Sequence, residues 1–236
     1  MLKRTRGHAR TAILLSLCSA FLLSGLLALL LLPSGKEAPP RIQGVLIQNP
    51  LPLQPFTLES HTGDLFSNEQ LRGTWHLIAY GYTHCPDICP ATLATLTETM
   101  RALQQADARD TRVLFYSVDP QRDTRAKLAL YVPYFDPGFI GLRMSGDGRH
   151  LGFERSLGIV AMLTPTESTP NPSDPTTPSP AAGIPYRVSH GVHIFLTNPD
   201  GALQAVFKPG TDTPGIQSFS AEQIARDYTA IRRHLR

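Results

Sequence analysis

The stretch WHLIAYGYTHCPDICPATLATLTETMRALQQ, residues 75–105, decides the fold. Its first part, residues 75–82, is almost wholly apolar and predicts a buried β-strand. Its last part predicts a helix from Pro90 to about Gln105, because apolar residues recur there at helical spacing: Leu93, Leu96, Met100 and Leu103. Cys85 and Cys89 lie between the two parts. Two thiols are therefore expected where a strand ends and a helix begins.

The chemistry of these thiols follows from their place and spacing. Unpaired backbone N–H groups at a helix start favour thiolate over thiol, and thiolates serve as redox centres or as ligands of soft metals. Three residues separate the cysteines, whereas thioredoxin-type disulfide exchange normally uses two. Because Pro90 disfavours helical geometry at Cys89, both cysteines are expected to share a loop that could hold one metal ion. A stabilising disulfide is the alternative, although so short a loop would gain little from one.

The N-terminal region predicts a membrane anchor. Residues 1–11 carry four basic side chains and no acid, and residues 12–32 are uncharged and almost wholly apolar, Cys18 included. At about 1.5 Å per residue this run spans a hydrocarbon core of roughly 30 Å. Basic residues stay inside, so the N-terminus is expected in the cytoplasm and the rest in the periplasm, from an inner-membrane anchor. A cleaved signal peptide is the alternative, but its apolar region is usually shorter.

Beyond the anchor we expect a linker at residues 33–50 and one domain at residues 51–236. The domain alternates predicted strands and helices and contains one hairpin, which indicates an α/β sandwich with a mixed sheet, most naturally a thioredoxin-like fold. Residues 164–185 are rich in Pro, Ser and Thr and predict an extended or disordered insertion. The net charge of +3 comes from the N-terminal arm, so nothing suggests a nucleic-acid partner.

Several segments together resemble the Sco/SenC family. They are residues 81–90 (GYTHCPDICP), residues 117–124 (SVDPQRDT), residues 139–142 (FIGL), and Val188-Ser189-His190 ahead of a Pro-Asp-Gly turn. The resemblance implies a membrane-tethered, thioredoxin-like copper protein that helps to assemble the binuclear copper centre of cytochrome c oxidase. It further implies that Cys85, Cys89 and His190 are the copper ligands. Ser189 replaces an acid that is usual in the family.

Copper also suits the chemistry of these residues. Soft thiolates select Cu(I), and an added imidazole gives a three-coordinate site that also accommodates Cu(II). The expected function is therefore a metallochaperone, not an enzyme, that passes copper from a donor protein to the oxidase subunit carrying the binuclear site. In the alternative, Cys85 and Cys89 form the redox pair of a thiol-disulfide oxidoreductase that reduces the copper-site cysteines of that subunit. Peroxide reduction is a third, less specific interpretation.

Other polar residues near these motifs receive a plainer interpretation. His193 lies three residues beyond His190, so strand alternation places it on the opposite face as a packing or surface residue. His84 adjoins Cys85, but adjacent side chains diverge, so it is not expected to be a ligand. Asp119, at a predicted strand end, forms a turn or supports the site.

Overall fold

A computed structural model describes residues 16–25, 38–106, 108–165, 186–213 and 216–235. The chain divides into two compact units, Met1–Ala38 and Pro39–Arg236. In the first unit residues 16–25 are helical, and the rest of the predicted anchor, residues 12–32, lies outside the described residues. No helix within the described ranges is both long enough and apolar enough to cross a membrane.

The second unit is built on an eight-stranded mixed sheet, flanked by helices and by two small two-stranded ribbons. The strand order in the sheet is β1-β10-β9-β4-β5-β6-β2-β3, and the ribbons are β7-β8 and β11-β12. The strands are β1 (Gly44–Pro52), β2 (Thr57–Ser60), β3 (Leu65–Ser67), β4 (Trp75–Gly81), β5 (Thr111–Ser117), β6 (Ile140–Met144), β7 (Ala161–Pro165), β8 (Tyr186–His190), β9 (Ile194–Thr197), β10 (Ala202–Phe207), β11 (Gly210–Thr213) and β12 (Ile216–Ser218). The helices are α1 (Ile88–Gln105), α2 (Arg125–Phe135), α3 (Leu151–Leu157) and α4 (Ala221–His234), with a 3-10 turn at Asn68–Leu71.

Strand β4 lies at the centre because it is apolar on both faces. All seven of its residues are buried, and it pairs in parallel with β5 and antiparallel with β9. One face of the sheet packs against α1 and α4 through Leu93, Leu96 and Tyr228. The other face packs against α3 through Phe153 and is closed by Phe56. A sheet buried on both faces requires such continuous apolar runs, so the predicted α/β architecture is confirmed.

Two predicted boundaries change. The predicted linker, residues 33–50, contributes Gly44 onward to β1, which pairs with β10 at the sheet edge. Most β1 side chains are exposed, so backbone pairing rather than an apolar pattern defines this strand. The predicted insertion begins later, since Thr164 and Pro165 belong to β7; residues 166–185 lie outside the described residues. Helix α3 ends at Leu157 because Gly158 adopts a left-handed conformation, with φ 67°, that caps it.

Candidate metal centre

The two cysteines lie at the carboxyl end of β4, as predicted, but they do not share a loop. Cys85 is in the loop and Cys89 is in the first turn of α1, which begins at Ile88. Pro90 is tolerated there because the first-turn N–H groups of a helix have no partner within the helix, so the missing N–H costs nothing. Both thiols are buried and unpaired. The prediction that Pro90 excludes Cys89 from the helix is therefore wrong.

Close packing of β4 against α1 positions the Cys89 sulfur. A Cβ atom added at Gly81, the last residue of β4, would lie only 2.5 Å from Cys89 Sγ. The same atom would lie 3.4 Å from the ring of Phe115 on β5. Only a glycine lets the helix start approach the strand this closely. Gly81 thus places the thiol of Cys89 over the end of the sheet.

His190, the last residue of β8, meets this thiol. Its Nε2 lies 3.8 Å from Cys89 Sγ, and its Nδ1 lies 2.7 Å from the carbonyl oxygen of Gly191. A carbonyl only accepts, so Nδ1 carries the proton and Nε2 presents its lone pair toward the cysteine. A histidine held in this way is oriented for metal ligation through Nε2. The rings of Tyr80 and Tyr82 pack against the imidazole, with centroid distances of 5.4 and 5.8 Å.

Burial governs the protonation of these groups. It raises the pKa of the Cys89 thiol far above its usual range, and the neighbouring Cys85 thiol, which interacts with Cys89, adds to the rise. Burial likewise lowers the pKa of His190, which therefore stays neutral near pH 7. The sequence-based expectation that the helix start favours a thiolate is thus overridden at Cys89. A metal ion binding here would have to displace the thiol proton.

The three predicted ligands are neighbours. The Cys85 side chain interacts with the side chains of Cys89 and Tyr82, and Cys89 contacts His190. Within the described ranges no three His, Cys, Asp or Glu side chains are already arranged as a cluster that could hold a metal ion. Two sulfurs and an imidazole nitrogen nevertheless form a donor set that suits copper.

Asp123 fastens the cysteine loop to the sheet. Its carboxylate is fully buried and accepts hydrogen bonds from the Thr83 amide at 2.9 Å, the Thr83 hydroxyl at 2.6 Å and the Ser117 hydroxyl at 2.6 Å. Thr83 lies in the loop, and Ser117 is the last residue of β5. Because charged acceptors make the stronger hydrogen bonds, this contact fixes the loop against the neighbouring strand.

A second buried carboxylate, Asp119, holds the strand that carries His190. Arg122 Nε donates to Asp119 at 2.5 Å, and the Tyr186 hydroxyl also donates to Asp119. Arg122 Nη1 donates to the Tyr186 carbonyl at 3.2 Å, and its guanidinium lies 4.1 Å from the centre of the Tyr186 ring. Tyr186 begins β8 and His190 ends it. Of the two interpretations of Asp119, support of the site is the one that the geometry favours.

Two further histidines, His193 and His84, lie near the site, and the predicted position of His193 is wrong. His193 Nδ1 lies 3.4 Å from the hydroxyl of Tyr80, the residue that also packs on His190, so the predicted opposite face is wrong. Alternation fails because residues 191–193 lie between β8 and β9 and belong to neither strand. His84 Nδ1 is 3.2 Å from the Thr83 hydroxyl and 3.9 Å from Asp123, with the side chain about half exposed.

The role of Tyr186 was not predicted from the sequence. Its contacts with Asp119 and Arg122 form what we call the Tyr186 clamp. Tyr186 is the first described residue after the Pro-rich insertion, and an aromatic side chain at that point is the only signal that the sequence offers. Arg122 and Asp123 appeared in the motif SVDPQRDT without a role. The structure gives each a role because it brings this motif beside the cysteine loop and β8.

The chain is similar to known proteins over most of its length. The model of the SCO1/SenC family matches residues 47–225. The chain belongs to the SCO1/SenC family. The mitochondrial SCO2 homolog of Mus musculus is 34% identical over 181 residues, which is 76% of this chain and 61% of that protein. The chain therefore spans about three fifths of this curated relative.

Solved structures show the same fold. The crystal structure of Arabidopsis thaliana ScoI with copper bound is 26% identical and has a TM-score of 0.61, covering 77% of this chain and 98% of that one. Bradyrhizobium japonicum ScoI with copper bound is 29% identical with a TM-score of 0.58, covering 78% of this chain and 99% of that one. The predicted family is confirmed, and relatives of this SCO1/SenC chain bind copper.

Proposed function

We propose that this SCO1/SenC chain is a copper metallochaperone that carries one copper ion on Cys85, Cys89 and His190. The observation that carries the proposal is the contact between Cys89 Sγ and His190 Nε2, 3.8 Å apart, with Cys85 beside them. Copper is the cargo of this protein. Copper-bound structures of two relatives support the choice of metal.

The recipient is the cytochrome c oxidase subunit with the binuclear copper site, supplied through this chain from a donor protein. Transfer would proceed by ligand exchange, as thiolates of the recipient replace Cys85 and Cys89 on the ion. No electron transfer is needed for this step. The residues around the imidazole keep Nε2 unprotonated, so His190 can bind or release the ion without taking up a proton near pH 7.

We also propose that residues 12–32 anchor the chain in the inner membrane as a single span, with the N-terminus in the cytoplasm. The basic arm and the uncharged apolar run support this topology. The metal centre would then lie in the periplasm. A reporter that is active only outside the cytoplasm should work when fused after Gly63; activity of a cytoplasm-only reporter there would reverse the orientation.

The copper proposal is tested on the full chain in detergent. Reduced protein should retain one copper ion per chain, whereas protein with a Cys85–Cys89 disulfide should retain none, because the disulfide removes two ligands. His190→Ala should weaken copper retention strongly, and His193→Ala, the control that removes the neighbouring imidazole bonded to Tyr80, should not. Equal retention by the oxidised chain, or none by the reduced chain, would contradict the proposal.

A thiol-disulfide oxidoreductase is the second candidate, favoured by the direct interaction of two unpaired thiols, Cys85 and Cys89. In that reaction the two thiols would give two electrons and two protons to a disulfide of the partner. This chemistry does not need His190. If His190→Ala supports oxidase assembly as well as wild type in cells that lack the native chain, the oxidoreductase replaces the metallochaperone.

A further inference from the structure

A histidine, His76, is buried in the central strand β4, where the neighbouring positions are apolar. His76 is the second residue of the central strand β4 and is 1% exposed. Its imidazole interacts with the Thr74 backbone, but its Nδ1 makes no hydrogen bond with any described residue. An unsatisfied buried polar group costs about 1–3 kcal/mol. Packing alone does not account for a histidine at this position.

His76 lines a cavity of about 360 Å³. The other residues of the wall include three apolar side chains, Leu65, Phe66 and Ile140. The cavity lies at the amino ends of β4 and β5, because His76 pairs there with Arg112. The cysteine loop follows the carboxyl end of β4. This cavity is therefore separate from the metal centre.

Hydrogen-bond donors face this cavity. His61 Nδ1 accepts from the Gly141 amide at 2.9 Å, so the proton of a neutral His61 lies on Nε2, which remains free to donate. Gln70 Oε1 accepts from the Ser67 amide and hydroxyl, so its NH₂ group remains free. Among the described residues, the side chain of Arg112 makes no hydrogen bond or ion pair, although its backbone pairs with β4. Its positive charge at the rim is uncompensated by direct contact.

The charged residues around the cavity indicate the charge of the ligand that it would bind. Arg112 is the cation at the rim, and Asp64 is the one acid in the wall, with its carboxylate already bonded to the Thr62 hydroxyl at 2.7 Å. Burial and the neighbouring Arg112 lower the pKa of His76 to about 4, so this imidazole is neutral and adds no charge. A bound negative group would meet Arg112 and the His61 N–H. An apolar body would meet Phe66 and the other apolar walls.

We propose that this cavity binds a small organic carboxylate, with the carboxylate on Arg112 and His61 and a polar group at the far end bonded to His76. The volume lies in the range of small-molecule sites, about 300–1,000 Å³, and exceeds what a single inorganic anion needs. The combination of apolar walls with a few convergent polar groups is typical of such sites. The hydrogen bond to Nδ1 would satisfy the orphaned atom of His76.

The test uses the full chain in detergent and three probes in titration calorimetry: 4-hydroxybenzoate, inorganic phosphate and benzylamine. We expect 4-hydroxybenzoate to bind, and Arg112→Gln to weaken that binding about tenfold, because a charge-assisted pair is lost. Arg101→Gln removes an exposed charge from α1 and is the matched control; it should leave the affinity unchanged. Ring NMR of His76 should shift on binding in the wild type.

Each other outcome overturns the proposal. Binding of phosphate but not of 4-hydroxybenzoate would show a simple anion site. Binding of benzylamine that Asp64→Asn abolishes would show that the cavity selects cations. An equal affinity in wild type and Arg112→Gln, or no binding of any probe, would show no carboxylate site. Copper content measured on the same samples separates this result from the proposed function, since Arg112 lies at the other end of the sheet.

Discussion

Replacing Gly81 with Ala should displace the sulfur of Cys89, a proposed copper ligand, because the new methyl group would press against it. The new methyl group would lie 2.5 Å from Cys89 Sγ, whereas non-bonded heavy atoms prefer about 3.5–4.0 Å. The sulfur or the strand must therefore shift by about 1 Å. Cys89 is 3% exposed, and Phe115 closes the same space at 3.4 Å, so no empty volume accepts the displaced atom.

The expected cost follows from this overpacking. Adding a methyl to a packed core costs about 1–3 kcal/mol, and at roughly 2–4 °C per kcal/mol for a domain of this size the melting temperature should fall by roughly 2–12 °C. Copper retention should fall at least about tenfold, as it does when supports of a metal ligand are changed. The assays are thermal unfolding of the reduced apo chain and competition for Cu(I) with a chelator.

Gly138→Ala is the matched control for this substitution. Its added Cβ would meet only the flexible carboxylate of Asp136, at 3.2 Å, so both measurements should stay near wild type. If Gly81→Ala melts at the wild-type temperature and retains copper normally, the packing of β4 against α1 does not position Cys89 as argued. Loss of stability with normal copper retention would refute the link between packing and metal binding.

Three further predictions follow from buried polar groups. Asp123→Ala removes three hydrogen bonds to a buried carboxylate and should lower the unfolding free energy in urea by about 3–5 kcal/mol; an unchanged midpoint would contradict this. His76 has a pKa of about 4 when folded against 6.5 when unfolded, so its contribution is present above pH 6.5 and is lost as the pH falls toward 4, about 3 kcal/mol in total. His76→Leu should flatten this acid dependence of denaturant unfolding, and an identical pH profile would refute the reasoning. Tyr186→Phe should speed copper release with a small change in melting, since it frees β8 from Asp119; an unaltered release rate would contradict the clamp.

The central strand and the cysteine motif could be predicted because their signals are local. Residues 75–81 form an apolar run in which His76 is the exception, and the spacing of Leu93, Leu96 and Leu103 fixes the buried face of α1. Cys85 and Cys89 are close in the chain, so the end of β4 brings them together in any fold of this class. The pairing with His190, about a hundred residues away, rested on family resemblance, and the 3.8 Å contact agrees with it.

Two kinds of feature could not be predicted from the sequence. They are strands defined by backbone pairing alone and contacts between residues that are far apart in the chain. Strand β1 is held by pairing with β10 while most of its side chains face solvent, so it has no apolar period. The clamp joins Arg122 to Tyr186 across 64 residues, and neither residue is unusual in its local sequence. His193 was misplaced because strand alternation was extended through residues 191–193, where the chain leaves the strand.

The proposed copper ligands are carried by two parts of the fold that differ in stability. The cysteines belong to the sheet and to α1, fixed by Gly81 packing and by the buried Asp123. His190 belongs to the two-stranded ribbon β7-β8, and such a ribbon has little stability of its own. Its position therefore depends on the Tyr186 clamp at one end and on aromatic packing at the other. We infer that His190 is the ligand that leaves first during transfer, because its strand belongs to the ribbon and not to the main sheet.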